Sequence, residues 1–154
     1  MQEYLSCKIQ GVQIFPLNEI TDERGAVLHL MRSDSPHFKE IGEIYFSEIN
    51  PGIVKAWKKH RLMTQNLSVP AGRIRLVIFD DRDDSPTKGT IEELIVGRPD
   101  LYCLVRIPPL LWYGFQGISE TPSLIVNCPD LPHDPKEAIG LDPLSSTIPY
   151  EWPS

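Results

Sequence analysis

The sequence is short of most features that would place a chain in a specialised class. Its three cysteines, Cys7, Cys103 and Cys128, are odd in number and have no CxxC spacing. Neither a disulfide framework nor a zinc site is suggested; free thiols in a reducing compartment follow instead. No stretch approaches the roughly 18 apolar residues of a membrane span. The first residues, MQEYLSCKIQG, lack a basic region followed by an apolar run, so no secretory leader is expected. The expectation is a cytoplasmic protein with no membrane partner. Positive charge is in deficit, with 15 Lys and Arg against 21 Asp and Glu and a net charge of -6. That argues against nucleic acid as the main partner, because such binding rests on cations facing phosphates. A small phosphorylated ligand needs only a local positive patch. Sustained helical periodicity, internal repeats and low-complexity linkers are also missing.

What is present favours strands. A chain of 154 residues is expected to be one domain, residues 1–154, with a sizeable core. Its 15 prolines are about twice the usual share. Proline breaks helix interiors but is tolerated at turns and strand edges. Short alternating runs recur between turn signals. Residues 8–20 hold one or two strands. Asp22 to Gly25 make a turn into a strand over 26–31, where Val27, His29 and Met31 share a face. Ser35 followed by Pro36 signals a short helical turn. A strand over 43–49 carries Glu43, Tyr45 and Ser47 on a face suited to lining a cavity. Residues 73–82 begin with the clearest alternation: Ile74, Leu76 and Ile78 on one side, Arg73, Arg75, Val77 and Phe79 on the other. The acidic run 80–84 reads as a solvated loop. The proline-rich tail is expected to wrap the body through Ile148, Tyr150 and Trp152, with one possible turn at 134–139. Eight or nine short strands with little helix predict an all-β sandwich or jelly-roll barrel.

Chemistry concentrates in GIVKAWKKHRLMTQ, where Lys55, Lys58, Lys59, His60 and Arg61 fall within seven residues and Gln65 follows. Strict alternation puts Lys55, Trp57 and Lys59 on one face and Lys58 and His60 on the other. His60 is the side chain that titrates near neutrality, whereas a lysine base needs burial or like charge to lower its pKa.

The phrases DERG, NPGIVKAW, VPAGRIRLVIFDDRDDSPTKG, RIPPLLWYGF and the closing NCPD with IPYEW occur in an order that resembles the dTDP-4-dehydrorhamnose 3,5-epimerase family, a branch of the cupin superfamily. The resemblance runs from about Gly11 to Trp152. It implies a cupin-type jelly roll, a homodimer, no metal or other cofactor, and a nucleotide-diphospho-4-keto-6-deoxy sugar as substrate. The implied chemistry moves protons at carbons beside the ketone, which needs a base, an acid and enolate stabilisation. Matched to the family phrases, Arg24 keeps the phosphate-binding arginine. Lys55 stands at the arginine of the RGLH-like phrase and Lys58 at its base histidine. Tyr113 stands at a substrate-contacting histidine. The family's acid tyrosine falls near Val126 or Asn127, and an aspartate falls near Ser145.

The catalytic candidates are therefore Lys58, His60 and Tyr113. The substrate-binding candidates are Arg24, His29, Glu43, Tyr45, Lys55, Gln65 and Arg73. The expected function is an epimerase or isomerase of nucleotide-linked 4-keto-6-deoxy sugars in surface-polysaccharide biosynthesis. A sugar 3,4-ketoisomerase and a non-catalytic nucleotide-sugar-binding cupin stay open beside it.

Overall fold

A computed structural model of the chain describes residues 6–154. Its elements are twelve strands: β1 (Gln13–Pro16), β2 (Glu19–Asp22), β3 (Gly25–Leu28), β4 (Tyr45–Ile49), β5 (Val54–His60), β6 (Gln65–Ala71), β7 (Arg73–Phe79), β8 (Ile91–Gly97), β9 (Cys103–Ile107), β10 (Trp112–Gly117), β11 (Ser123–Asn127) and β12 (Ala138–Gly140). There is no helix among the described residues. Two five-stranded antiparallel sheets, ordered β1-β9-β6-β11-β4 and β12-β5-β10-β7-β8, make a jelly-roll sandwich, and β2–β3 form a separate hairpin.

Alternation builds the core. On β7, Ile74, Leu76 and Ile78 point between the sheets and join Ile14, Ile49, Leu67, Val69, Val105, Ile107, Tyr113 and Ile125. Each fully buried aliphatic chain contributes about 1.5–3 kcal/mol of hydrophobic stabilisation. The other face of β7 is also covered. Val77 and Phe79 pack with Trp57, Trp112 and Ile148, and Tyr150 and Trp152 of the C-terminal segment lie over them. The tail is thus a strap across the outer face of the second sheet, as its aromatic residues predict.

The turn from β6 to β7 is made by a single residue outside the strands, Gly72, at a φ of +75°. A Cβ there would sit 2.3 Å from the Ser123 hydroxyl, so both the backbone and the space demand glycine.

Four local expectations change. Ser35 and Pro36 do not start a helix; Ser35 N–H bonds Arg32 O and Phe38 N–H bonds Ser35 O, giving successive turns. No apolar stripe follows to hold a helical turn against the body. The strand expected over 43–49 begins at Tyr45, because its partner β11 ends at Asn127, opposite Tyr45. The strand expected over 26–31 stops at Leu28, where β2 runs out. The acidic run is not wholly solvated. Asp80 is fully buried and accepts hydrogen bonds from Arg82, Ser85 and Thr87, so it organises the loop it begins.

Candidate active site

A cavity of about 360 Å³ opens between the sheets, lined by Tyr45 and Ser47 of β4, residues 55–58 of β5, Tyr113 and Phe115 of β10, and Leu67, Ile125 and Asn127 of β6 and β11. Its β5 wall departs from simple alternation. Trp112 pairs with Lys59 and Tyr113 with Lys58, but Phe115 pairs with Lys55, so Ala56 and Trp57 together oppose the single residue Gly114. This β-bulge shifts the pleat by one residue. Lys55 and Lys58, three apart, therefore both line the cavity. The sequence expectation that Lys55 shares a face with Trp57 and Lys59 is corrected here. Trp57 turns outward under the strap. Lys59 lies against the outer face, bonded to Asp81 at 2.6 Å and set over the Trp112 ring at 4.7 Å.

Behind the cavity wall runs a buried chain of three groups. Tyr113 Oη lies 3.1 Å from His60 Nε2, and His60 Nδ1 lies 2.5 Å from Glu137 Oε1. All three side chains are buried. Glu137 precedes β12, whose pairing with β5 brings Ala138 opposite His60. Its second oxygen accepts the backbone N–H groups of Leu62 and Met63, both at 2.9 Å. The turn expected at 134–139 is present, led by Asp134 and running directly into β12. Burial pulls the His60 pKa below its ordinary value, although Glu137 pushes against it. Burial pushes Glu137 up, but hydrogen bonds from His60 and the two amides outweigh it and hold the carboxyl below its ordinary value. The pair is consequently neutral imidazole beside carboxylate. Nδ1–H donates to Glu137, and Nε2 is free to accept the Tyr113 hydroxyl proton. Burial pushes the Tyr113 phenol strongly up, so it stays protonated at neutral pH.

A second polar chain crosses the opposite wall. Asn127 Oδ1 accepts from Asn66 N–H at 3.1 Å, which fixes the amide. Its Nδ2 then donates to Tyr45 Oη at 2.8 Å and to Gln65 Oε1. The Tyr45 hydroxyl accepts this bond and keeps its own proton to give. Gln65 is fully buried, and its Nε2 has no hydrogen-bond partner. An orphan buried donor costs about 1–3 kcal/mol.

The remaining candidates divide between the cavity mouth and places away from it. Lys55 Nζ bonds Ser47 Oγ and Glu48 O at 3.2 and 2.5 Å, and Lys58 stands exposed at the mouth. Arg24 is on the β2–β3 hairpin, paired with Asp22 at 2.6 Å and 83% exposed, and does not line the cavity. His29 follows β3, its carbonyl accepting from Tyr102 Oη. Glu43 precedes β4 and does not line the cavity. Arg73 pairs with Asp100. Sequence reasoning missed Glu137 and Asn127. Glu137 sits in a proline-rich tail 77 residues from His60. The resemblance puts the family's acid tyrosine near Val126 or Asn127, and Asn127 stands directly opposite Tyr45 in the β11–β4 ladder.

No family model matches the chain. It is 35% identical over 145 residues to the probable low-salt glycan biosynthesis epimerase Agl13 of Haloferax volcanii, covering 93% of this chain and 89% of that protein. The crystal structure of a dTDP sugar isomerase from Desulfovibrio desulfuricans G20 superposes with a TM-score of 0.94 at 47% identity, over 96% of this chain and 94% of that one. A dTDP-6-deoxy-D-glucose-3,5-epimerase from Legionella pneumophila, in complex with dTDP-4-keto-L-rhamnose, matches with a TM-score of 0.86 over 99% of this chain and 84% of that one; at 19% identity that likeness concerns the fold.

Proposed function

The chain belongs to the dTDP-4-dehydrorhamnose 3,5-epimerase-like family of sugar epimerases and isomerases, and on that premise we propose that it moves a proton at a carbon beside the ketone of a dTDP-linked 4-keto-6-deoxy sugar during glycan biosynthesis. The observation that carries the reading is the Tyr113–His60–Glu137 chain ending at the cavity wall. The substrate C–H bond breaks toward Tyr113 Oη while the tyrosine's own proton passes to His60 Nε2. The bonding pair moves onto the ketone oxygen as an enolate. Glu137 offsets the imidazolium charge. Tyr45 returns a proton from the opposite wall, which inverts the carbon; return through Tyr113 on the same side would leave the configuration unchanged. Gln65, buried behind the Tyr45 wall and bonded to Asn127, holds the Asn127 amide in place rather than touching the sugar.

The groups that the resemblance places at residue 58, near 126 or 127 and near 145 are, on this reading, supplied from neighbouring positions. His60 lies two residues along the same face, Tyr45 one strand across, and Glu137 on the edge strand's approach. Lys55 and Lys58 hold the diphosphate at the mouth, as point charges rather than bidentate forks. Lys58 stands exposed and is assigned here to binding, not to proton transfer. Two further parts of the reading are a homodimer and a cytoplasmic setting. The homodimer would cover the exposed Ile20 and Val27 of the hairpin and carry Arg24 with them. The setting is supported by three free thiols.

Incubation of the protein in D2O with dTDP-4-keto-6-deoxyglucose, followed by NMR, tests the reaction. Deuterium wash-in at a carbon beside the ketone is expected. Absence of exchange with this and with other nucleotide-linked 4-keto-6-deoxy sugars would overturn the proposal.

A further inference from the structure

The two lysines at the cavity mouth face the same way only because β5 bulges between them. In a regular strand, residues three apart point to opposite faces. The bulge in turn needs support from both sides of the sheet. On the β10 side it needs room. A Cβ on Gly114 would lie 2.4 Å from Ala56 Cβ and 3.0 Å from Ala56 Cα. Gly114 takes no unusual backbone angle, so its lack of a side chain serves space alone. On the other side the bulge needs a partner for its backbone. Trp57 N–H donates to Leu141 O at 2.8 Å and Leu141 N–H returns to Trp57 O at 3.0 Å. The bulged residue is therefore paired with the C-terminal segment.

The same segment clamps the Trp57 side chain. Trp152 lies 5.1 Å and Tyr150 6.1 Å from the Trp57 ring, and the two tail rings meet at 5.0 Å. Trp57 Nε1 donates to Pro143 O at 3.4 Å. The strap is itself pinned to the sheet. Tyr150 Oη donates to Glu93 Oε2 at 3.0 Å, and Gln116 Nε2 donates to Pro153 O at 2.8 Å. None of these groups except Trp57 borders the cavity.

We propose that Trp57, clamped by Tyr150 and Trp152 and accommodated by Gly114, is a positioning residue that turns Lys55 and Lys58 together toward the anionic part of the ligand. The C-terminal strap is then part of the binding site by way of the strand beneath it. This rests on the reading of the cavity as a nucleotide-diphosphate-sugar site.

The test uses the full-length Tyr150→Ala/Trp152→Ala double variant, a conservative Tyr150→Phe/Trp152→Phe control, and Gly114→Ala. Two readouts separate this inference from the reading it rests on. The first needs no ligand: crystal structures of the variants, examined for the direction of Lys55 and Lys58. The inference expects one lysine to leave the cavity wall in the alanine variants and both to stay in the phenylalanine control. Folded variants with both lysines still in place would overturn it. The second is titration with dTDP by calorimetry. The alanine double variant is expected to bind about 10-fold more weakly. Adding Lys58→Ala to it should cost little more, because the two changes remove the same contact. Full additivity, or unchanged dTDP affinity in a variant of normal fold, would count against the inference. If the unaltered protein does not bind dTDP but the alanine variants do redirect a lysine, the nucleotide reading falls and the positioning role stands. Where Gly114→Ala does not fold, the strap variants decide alone, since they alter only the outer face.

Discussion

His60 has to be neutral to accept a proton, and burial favours that form. Proton exchange should therefore persist to a pH below the roughly 6.5 of an ordinary histidine and fall on the acid side as the imidazole is charged. Glu137 pulls the other way, raising the histidine pKa. Glu137→Gln should shift the acid limb of kcat/KM to still lower pH while lowering the plateau about 10- to 100-fold. A pH–rate profile of both proteins checks the sign; an unmoved limb would detach Glu137 from the chemistry. Asp80 makes a separate prediction. Burial works against its charge, but Arg82, Ser85 and Thr87 outweigh burial and hold its carboxyl far below the ordinary value. A depressed folded pKa gives stability that is complete above the unfolded value of about 3.9 and is lost as pH falls toward the folded one. Asp80→Asn should cost about 2–4 kcal/mol in urea unfolding at pH 7, with the deficit shrinking below pH 4. Cys103, whose thiol burial pushes up to about 12, should resist a thiol reagent until the protein unfolds.

At the scale of the strand, β5 separates lysines that are close in sequence but differ in use. Lys58→Ala should raise the KM for the nucleotide sugar about 10-fold. Arg73→Ala should leave it within about two-fold, because that guanidinium already pairs with Asp100 away from the cavity. Steady-state kinetics of the two variants distinguishes them. This strand also marks how far the sequence could be read. The period-2 alternation on β7 and the turn residues around it were enough for the sandwich, since each inward position is a hydrophobic one. The outward face of β7 and the tail aromatics were legible for the same reason. The bulge was not, because inserting one residue leaves the alternation intact on either side of it. Lys58 and His60 kept their shared face, being on the same side of the insertion, whereas Lys55 changed sides. Glu137 was hidden for another reason. Its role depends on a three-residue strand with no hydrophobic pattern, Ala138–Gly140, pairing with β5.

For the whole molecule, the β2–β3 hairpin is one place where a lone chain leaves large apolar side chains uncovered. Ile20 and Val27 are 56% and 59% exposed, opposite one another in the ladder. A homodimer that covers them predicts a mass near twice 17.5 kDa by analytical ultracentrifugation. Ile20→Asp with Val27→Asp should shift the protein toward monomer without unfolding it. A monomeric parent would overturn the homodimer, and a dimer indifferent to both changes would move its interface elsewhere.

Glu137 has one more consequence, and it concerns time. A ribosome adding roughly 5–20 residues per second needs about 4–15 s to make the 77 residues that separate it from His60. During that interval the histidine exists without its carboxylate, and Trp57 without its clamp. On the proposed mechanism, the site cannot form gradually as the chain emerges: its proton transfer waits until β12 pairs with β5.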